Sequence, residues 1–124
     1  MKKGLLIIRI ILGLMMVVFG LNKFIHFMPM PEMQPAMENF MQSLVSTGYL
    51  MALVAVVEIV AGILFLTNKL AAFGAVILVP VLLNAFLAHL FMDPAGIGGA
   101  AAALIMNLFL LYGFKEKYQS IFSD

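Results

Sequence analysis

Four long apolar runs divide the chain: Gly4 to Phe24, Tyr49 to Leu66, Leu70 to Met92 and Gly96 to Phe114. Each approaches the roughly 20 residues that a helix rising ~1.5 Å per residue needs to cross a ~30 Å hydrocarbon layer. The pattern predicts an all-α fold, a four-transmembrane-helix antiparallel bundle. Only Thr67, Asn68 and Lys69 separate the second run from the third, and Asp93 and Pro94 separate the third from the fourth, so both connections are hairpin turns. The first loop is different in kind. It carries Pro29, Pro31 and Pro35, and then Met33, Met37, Phe40, Met41 and Leu44 at helical spacing. This spacing predicts a short amphipathic helix from about Pro35 to Ser46, lying on the membrane interface.

Within the runs, small and polar residues share faces. At ~100° per residue, Arg9, Gly13, Met16, Gly20 and Lys23 fall along one line of the first helix. Gly96, Ala100, Ala103 and Asn107 do the same on the last, and Glu58 sits beside Gly62 on the second. Helices in lipid associate through small residues that permit close approach and through shared polar groups, so these faces are expected to line the bundle interior. Gly13, Gly20, Gly62, Gly96, Ala100 and Ala103 are therefore the expected packing positions. On the third helix Pro80 removes a backbone donor and frees the carbonyl of Val76, which predicts a kink, with Asn84 one turn on to supply hydrogen bonding.

Composition agrees with the pattern and narrows the function. Of 124 residues, 65% are hydrophobic and 10% charged, with a mean hydropathy of +1.13. Soluble domains average roughly 45 to 50% apolar and 25% charged, so lipid is the expected solvent and one membrane domain, residues 1–124, the expected organisation. A net charge of +1 excludes the basic footprint of a nucleic-acid binder. The absence of cysteine excludes disulfides, thiol catalysis, iron–sulfur clusters and cysteine zinc sites. Lys2 and Lys3 ahead of the first run resemble the start of a signal peptide. Arg9 within the run, and Asn22 and Lys23 in place of a small-residue cleavage site, favour a retained helix.

Charge position predicts orientation. Lys2, Lys3, Lys69, Lys115 and Lys117 fall at one side of a four-span hairpin, and Lys23 alone among the lysines falls at the other, with Glu32, Glu38 and Asp93. The positive-inside rule then puts both termini in the cytoplasm and the first loop outside.

Two constellations carry candidate chemistry. Arg9 and Glu58 are the charged residues well inside the runs, and intramembrane charges mark functional sites by default. Rise per residue puts them within about two turns in depth, so they are expected to pair; a protonated, neutral Glu58 is the alternative, and a structural lock between two helices competes with a proton or ligand site. Near the outer mouth lie Asn22, Lys23, His26, Asn84, His89 and Asp93, which suit a proton relay or hydrogen bonding to a quinone carbonyl. Their spacing is not that of a metal site, and polar residues that simply meet interfacial water are the competing reading. Met28, Met30, Met33, Met37 and Met41 present soft ligands of the kind Cu(I) takes, but an apolar helix face explains them better, and no metal is assigned.

Gly20-Leu21-Asn22-Lys23-Phe24, Met28-Pro29-Met30-Pro31, Thr47-Gly48-Tyr49, Glu58-Ile59-Val60-Ala61-Gly62 and the stretch from Asn84 through His89-Leu90-Phe91 to Asp93-Pro94 resemble the small DoxX-type membrane proteins of bacteria. The resemblance implies a four-helix protein of the bacterial cytoplasmic membrane, in a family named for a subunit associated with quinone-linked oxidation. Arg9, Gly20, Lys23, Glu58, Gly62, Asn84 and His89 match its pattern.

The expected function is an accessory subunit of a quinone-linked membrane redox system, with a small-molecule pocket between helices. Candidate ligand-binding residues are Arg9, Lys23, His26, Glu58, Asn84, His89 and Asn107, with quinone as the cofactor. Expected partners are the bilayer and membrane oxidoreductase subunits, and a homo-oligomer is compatible with the sequence. The alternative is a noncatalytic assembly or scaffolding protein. A transporter ranks below both because inverted repeats and broken helix pairs are missing.

Overall fold

A computed structural model describes residues 2–29 and 32–119. Met30 and Pro31 of the proline and methionine stretch lie outside the described residues. The elements are α1 (Lys2–Ile25), α2 (Pro35–Ser46), α3 (Leu50–Thr67), α4 (Ala71–Met92) and α5 (Ile97–Gly113), with 3-10 turns at Pro94–Gly96 and Lys115–Tyr118. All of the described secondary structure is helical. Helices α1, α3 and α4, and the Pro94–Gly96 turn with α5, are long and apolar enough to cross a membrane. The expected spans are thus present, with Gly96 moved from the last helix into the turn before it.

The four long helices form a ring in which α1 packs on α3, α3 on α4, α4 on α5 and α5 on α1. Leu12, Met16, Phe65, Leu78 and Leu110 fill the centre and are essentially inaccessible. Between 17 and 33% of the most apolar stretch of each span is buried. The remaining apolar surface, including Leu6, Ile7, Phe73, Ile105 and Phe91, faces outward, as lipid as solvent requires.

The α1–α3 pair is the closest contact, and glycine is the reason. A Cβ added at Gly62 would lie 2.8 Å from the Gly13 carbonyl oxygen, and one at Gly20 would lie 2.9 Å from that of Ala55. Backbone therefore meets backbone at two points seven residues apart on each helix, in antiparallel register. The spacing repeats the face periodicity of the α1 stripe.

Local signals set the ends. Pro35 opens α2 in the first turn, where its missing N–H costs nothing. The Thr47 hydroxyl accepts from the Leu50 amide at 3.1 Å, and Gly48 takes the left-handed turn conformation between α2 and α3. At the end of α1, His26 is left-handed; its amide donates to the Asn22 carbonyl at 2.8 Å, and the Asn22 side chain accepts from the Met28 amide at 2.8 Å. Helix α4 runs through Pro80, which is exposed, as are Val76 and Asn84 on the same helix.

Helix α2 packs against α3 and α4. Its Met37 is buried, whereas Glu38, Asn39, Gln42 and Ser43 are exposed. The apolar face of the predicted interfacial helix thus lies on the bundle end.

Candidate functional site

The α1 stripe carries one cation at each end of the glycine seam, and the two are satisfied differently. Arg9 does not meet Glu58, contrary to the expectation from depth. Its Nη1 donates to the Phe65 carbonyl oxygen. Phe65 lies in the last turn of α3, where its carbonyl also accepts from the Asn68 amide at 3.3 Å; the helix dipole is negative at this end, so a guanidinium is favourable there. The antiparallel register explains the correction: α1 runs past α3 with Gly13 beside Gly62, which puts Arg9 alongside the end of α3, well away from Glu58.

Glu58 pairs with Lys23 instead. Lys23 Nζ lies 2.6 Å from Glu58 Oε1. Gly20 packs between Ala55 and Ile59, so Glu58 is level with the last glycine of the stripe and the next stripe residue reaches it. Glu58 is 5% exposed, inside the seam. The lysine side chain keeps 24% of its surface accessible and forms part of a cavity wall. Among the described residues this is the one ion pair.

That cavity, about 1020 Å³, lies between the end of α1, the following loop, α2 and the start of α3. Its apolar wall includes Phe19, Phe24, Met33, Met41 and Met51. Polar groups come from Lys23, Asn22, His26, Glu32, Glu38 and Gln42, with Tyr49 at the α3 start. An apolar cavity with a few converging polar groups is the usual form of a small-molecule site, and this one is at the upper end of the usual volume range. The ammonium is paired with Glu58 by charge, and it carries N–H donors that the cavity can share.

The structure thus gathers Asn22, Lys23 and His26 at the cavity, with Glu58 behind Lys23, and separates the other candidates from it. His89 Nδ1 is 2.8 Å from the Ala85 carbonyl of its own helix, and the ring lies against Gly96. Gly96 is exposed within the 3-10 turn and approaches that imidazole, where a helix-packing role on α5 was expected. Asn84 is exposed on α4, and Asp93 is buried in the α4–α5 turn. The expected outer-mouth cluster therefore does not converge as a unit. Asn107 is fully buried towards the other end, donating from Nδ2 to the Ala75 carbonyl at 3.0 Å and tying α5 to α4. Ala103 is buried and Ala100 partly so. Among the described residues, no three His, Asp or Glu side chains gather as a metal site.

Sequence reasoning missed Glu32, Glu38, Gln42 and Tyr49 as cavity residues. The amphipathic face of α2 was the available signal, since a helix laid over a bundle end must enclose space or fill it. Tyr49 had no such signal.

A family model described as DoxX matches residues 4–90, which include the whole cavity and the Lys23–Glu58 pair. No curated protein and no solved structure matches the chain.

Proposed function

The chain belongs to the DoxX family, and from that premise we propose that it is an accessory subunit of a quinone-linked redox system, holding a quinone head in the α1–α2–α3 cavity. One observation carries the reading. Lys23 is at once a wall of a largely apolar cavity and the partner of a buried carboxylate. A quinone head presents carbonyl acceptors on an apolar ring, and the donor set fits it. Lys23 supplies N–H donors and a positive charge, and Phe19, Phe24 and Met51 supply apolar walls.

Lys23, Phe19, Phe24 and Met51 would hold the head, and a bound quinone would supply an electron-accepting group there. The Lys23 ammonium would place a positive charge and N–H donors beside a carbonyl oxygen of the head. Glu58 holds the ammonium at the wall and keeps the pair neutral, which limits the cost of a charge in the seam. His26 is exposed at the rim of the cavity.

In the proposed orientation the lysine-rich end faces the cytoplasm and the cavity faces outward, in the cytoplasmic membrane of a bacterium. The chain has no native cysteine, so Thr47→Cys labelled from outside by an impermeant maleimide supports this orientation, and labelling only after lysis reverses it.

The site reading is tested by titrating the purified full-length protein with short-chain ubiquinone and menaquinone analogues. Saturable binding weakened at least about tenfold by Lys23→Met is the expected result, that loss being about the worth of one charge-assisted hydrogen bond. No saturable binding and no copurifying oxidoreductase would sink it.

A second reading, a noncatalytic assembly protein or homo-oligomer, is favoured by α5. Gly98 and Gly99 are exposed, and an added Cβ at either would meet nothing within 4 Å. This leaves a small-residue face that the chain itself does not cover. If Gly98→Leu lowers recovery of a complex while quinone binding persists, that face docks a partner helix; unchanged recovery removes the reading.

A further inference from the structure

The opposite end of the bundle holds six of the seven Lys and Arg residues: Lys2, Lys3, Arg9, Lys69, Lys115 and Lys117. Among the described residues the one side-chain carboxylate at that end is Glu116, so cations far outnumber carboxylates there. The fold draws these separated positions together. Arg9 bonds the Phe65 carbonyl and Gly13 packs on Leu66, so the first turns of α1 run beside the α3–α4 turn that carries Lys69. Gly113 packs against Leu5, which brings the end of α5 to the same level of α1. The Tyr118 hydroxyl donates to the Ala72 carbonyl at 3.0 Å and fastens the Lys115–Tyr118 turn to the first turn of α4.

All five lysines of this end are exposed. They lie at the edge of the apolar surface, which is the level of lipid phosphates. Interface markers stand beside them: Leu70 is 72% exposed in the α3–α4 turn, and Lys115 Nζ lies 4.4 Å above the Tyr112 ring.

We propose that this end is a binding surface for anionic phospholipid head groups, which it gathers around α1, the α3–α4 turn and the Lys115–Tyr118 turn. Zwitterionic head groups present the same phosphate but cancel its charge, so the surface distinguishes the two by net charge. The attraction is electrostatic and between exposed groups, and it weakens as salt shortens the Debye length from ~10 Å at 0.1 M to ~3 Å at 1 M. This inference does not rest on the quinone reading, since the cavity is at the other end.

Spin-labelled phosphatidylglycerol and phosphatidylcholine, each at trace level in phosphatidylcholine vesicles holding the full-length protein, provide the test. Electron spin resonance gives the fraction of each label immobilised at the protein. Phosphatidylglycerol is expected to be preferred about tenfold at low salt, a factor that two or three surface lysines readily supply. The preference should fall several-fold at 1 M salt and in Lys2→Gln/Lys3→Gln/Lys69→Gln, and survive in the matching Lys→Arg triple variant. Circular dichroism checks that each variant is folded. A misfolded Gln variant is replaced by Lys115→Gln/Lys117→Gln, for which the same fall is expected. Equal immobilisation of the two lipids, or a preference indifferent to salt and to the Gln substitutions, overturns the proposal.

Discussion

The two ends of the α1 stripe invite comparison because they begin with the same problem, a cation on the interior face of a membrane helix. At one end Arg9 is met by a backbone carbonyl at the close of α3. At the other, Lys23 is met by the carboxylate of Glu58 and opens onto a cavity. A helix-terminal carbonyl is present whatever the side chains are, so Arg9 needs no second polar residue and contributes to the fold alone. Lys23 required a buried glutamate, a costly group to insert, at roughly 2.5 to 3.5 kcal/mol near a helix centre. A costly pair beside a cavity is the observation on which the proposed site rests. In water-poor surroundings an apolar pair would hold the same two helices as well or better.

The strongest way to break the comparison is to remove what its two halves share. Gly62→Leu places a side chain against the Gly13 carbonyl and the Val17 amide, neither of which can move without moving α1. A loss of about 3 kcal/mol is expected, at the high end for overpacking. Thermal unfolding in detergent should show it, and both ends should fail together.

Lys23→Met comes next. It leaves Glu58 unpaired in the seam; because the cavity lies close enough for a proton to reach it, the expected cost is about 2 kcal/mol, below the usual range for breaking a buried pair. Chemical denaturation measures this, and adding Glu58→Met to it should restore most of the loss.

Arg9→Met sharpens the contrast from the other side. It forfeits one charged hydrogen bond, worth about 1.5 kcal/mol, and should lower the unfolding midpoint while leaving quinone affinity unchanged.

The smallest effect belongs to Tyr118, outside the spans. Burial holds its phenol above the ordinary tyrosine range. The neutral form is therefore the one the fold favours, and the contact with Ala72 is intact below the unfolded tyrosine pKa of ~10 and lost as pH rises through the higher folded value. Phenolate absorbance should show one tyrosine titrating late, and the late phase should be absent in Tyr118→Phe.

Much of the fold was legible because the signals for it are local. Unbroken apolar length marks the spans, two short links force hairpins, and glycine at helical spacing marks a close-packed face. The site was legible only in its parts. Lys23, His26 and Glu58 stood out as polar groups in apolar surroundings, but which cation meets Glu58 depends on the register between α1 and α3. That register is fixed where Gly13 meets Gly62 and Gly20 meets Ala55, and depth estimated from rise per residue does not resolve it. His89 and Asn84 looked like site residues by proximity in sequence to the same bundle end. The azimuth of α4 in the ring decides otherwise, and a polar face of two residues is too weak a pattern to set an azimuth.

The central claim is that the Lys23–Glu58 pair serves the cavity more than the fold. Lys23→Met/Glu58→Met, assayed for quinone-analogue binding beside its unfolding midpoint, tests it most directly. A folded protein with stability near that of the parent and affinity reduced at least about tenfold is expected, since the ammonium donors are gone. A folded double variant that binds the analogue as tightly as the parent would contradict it.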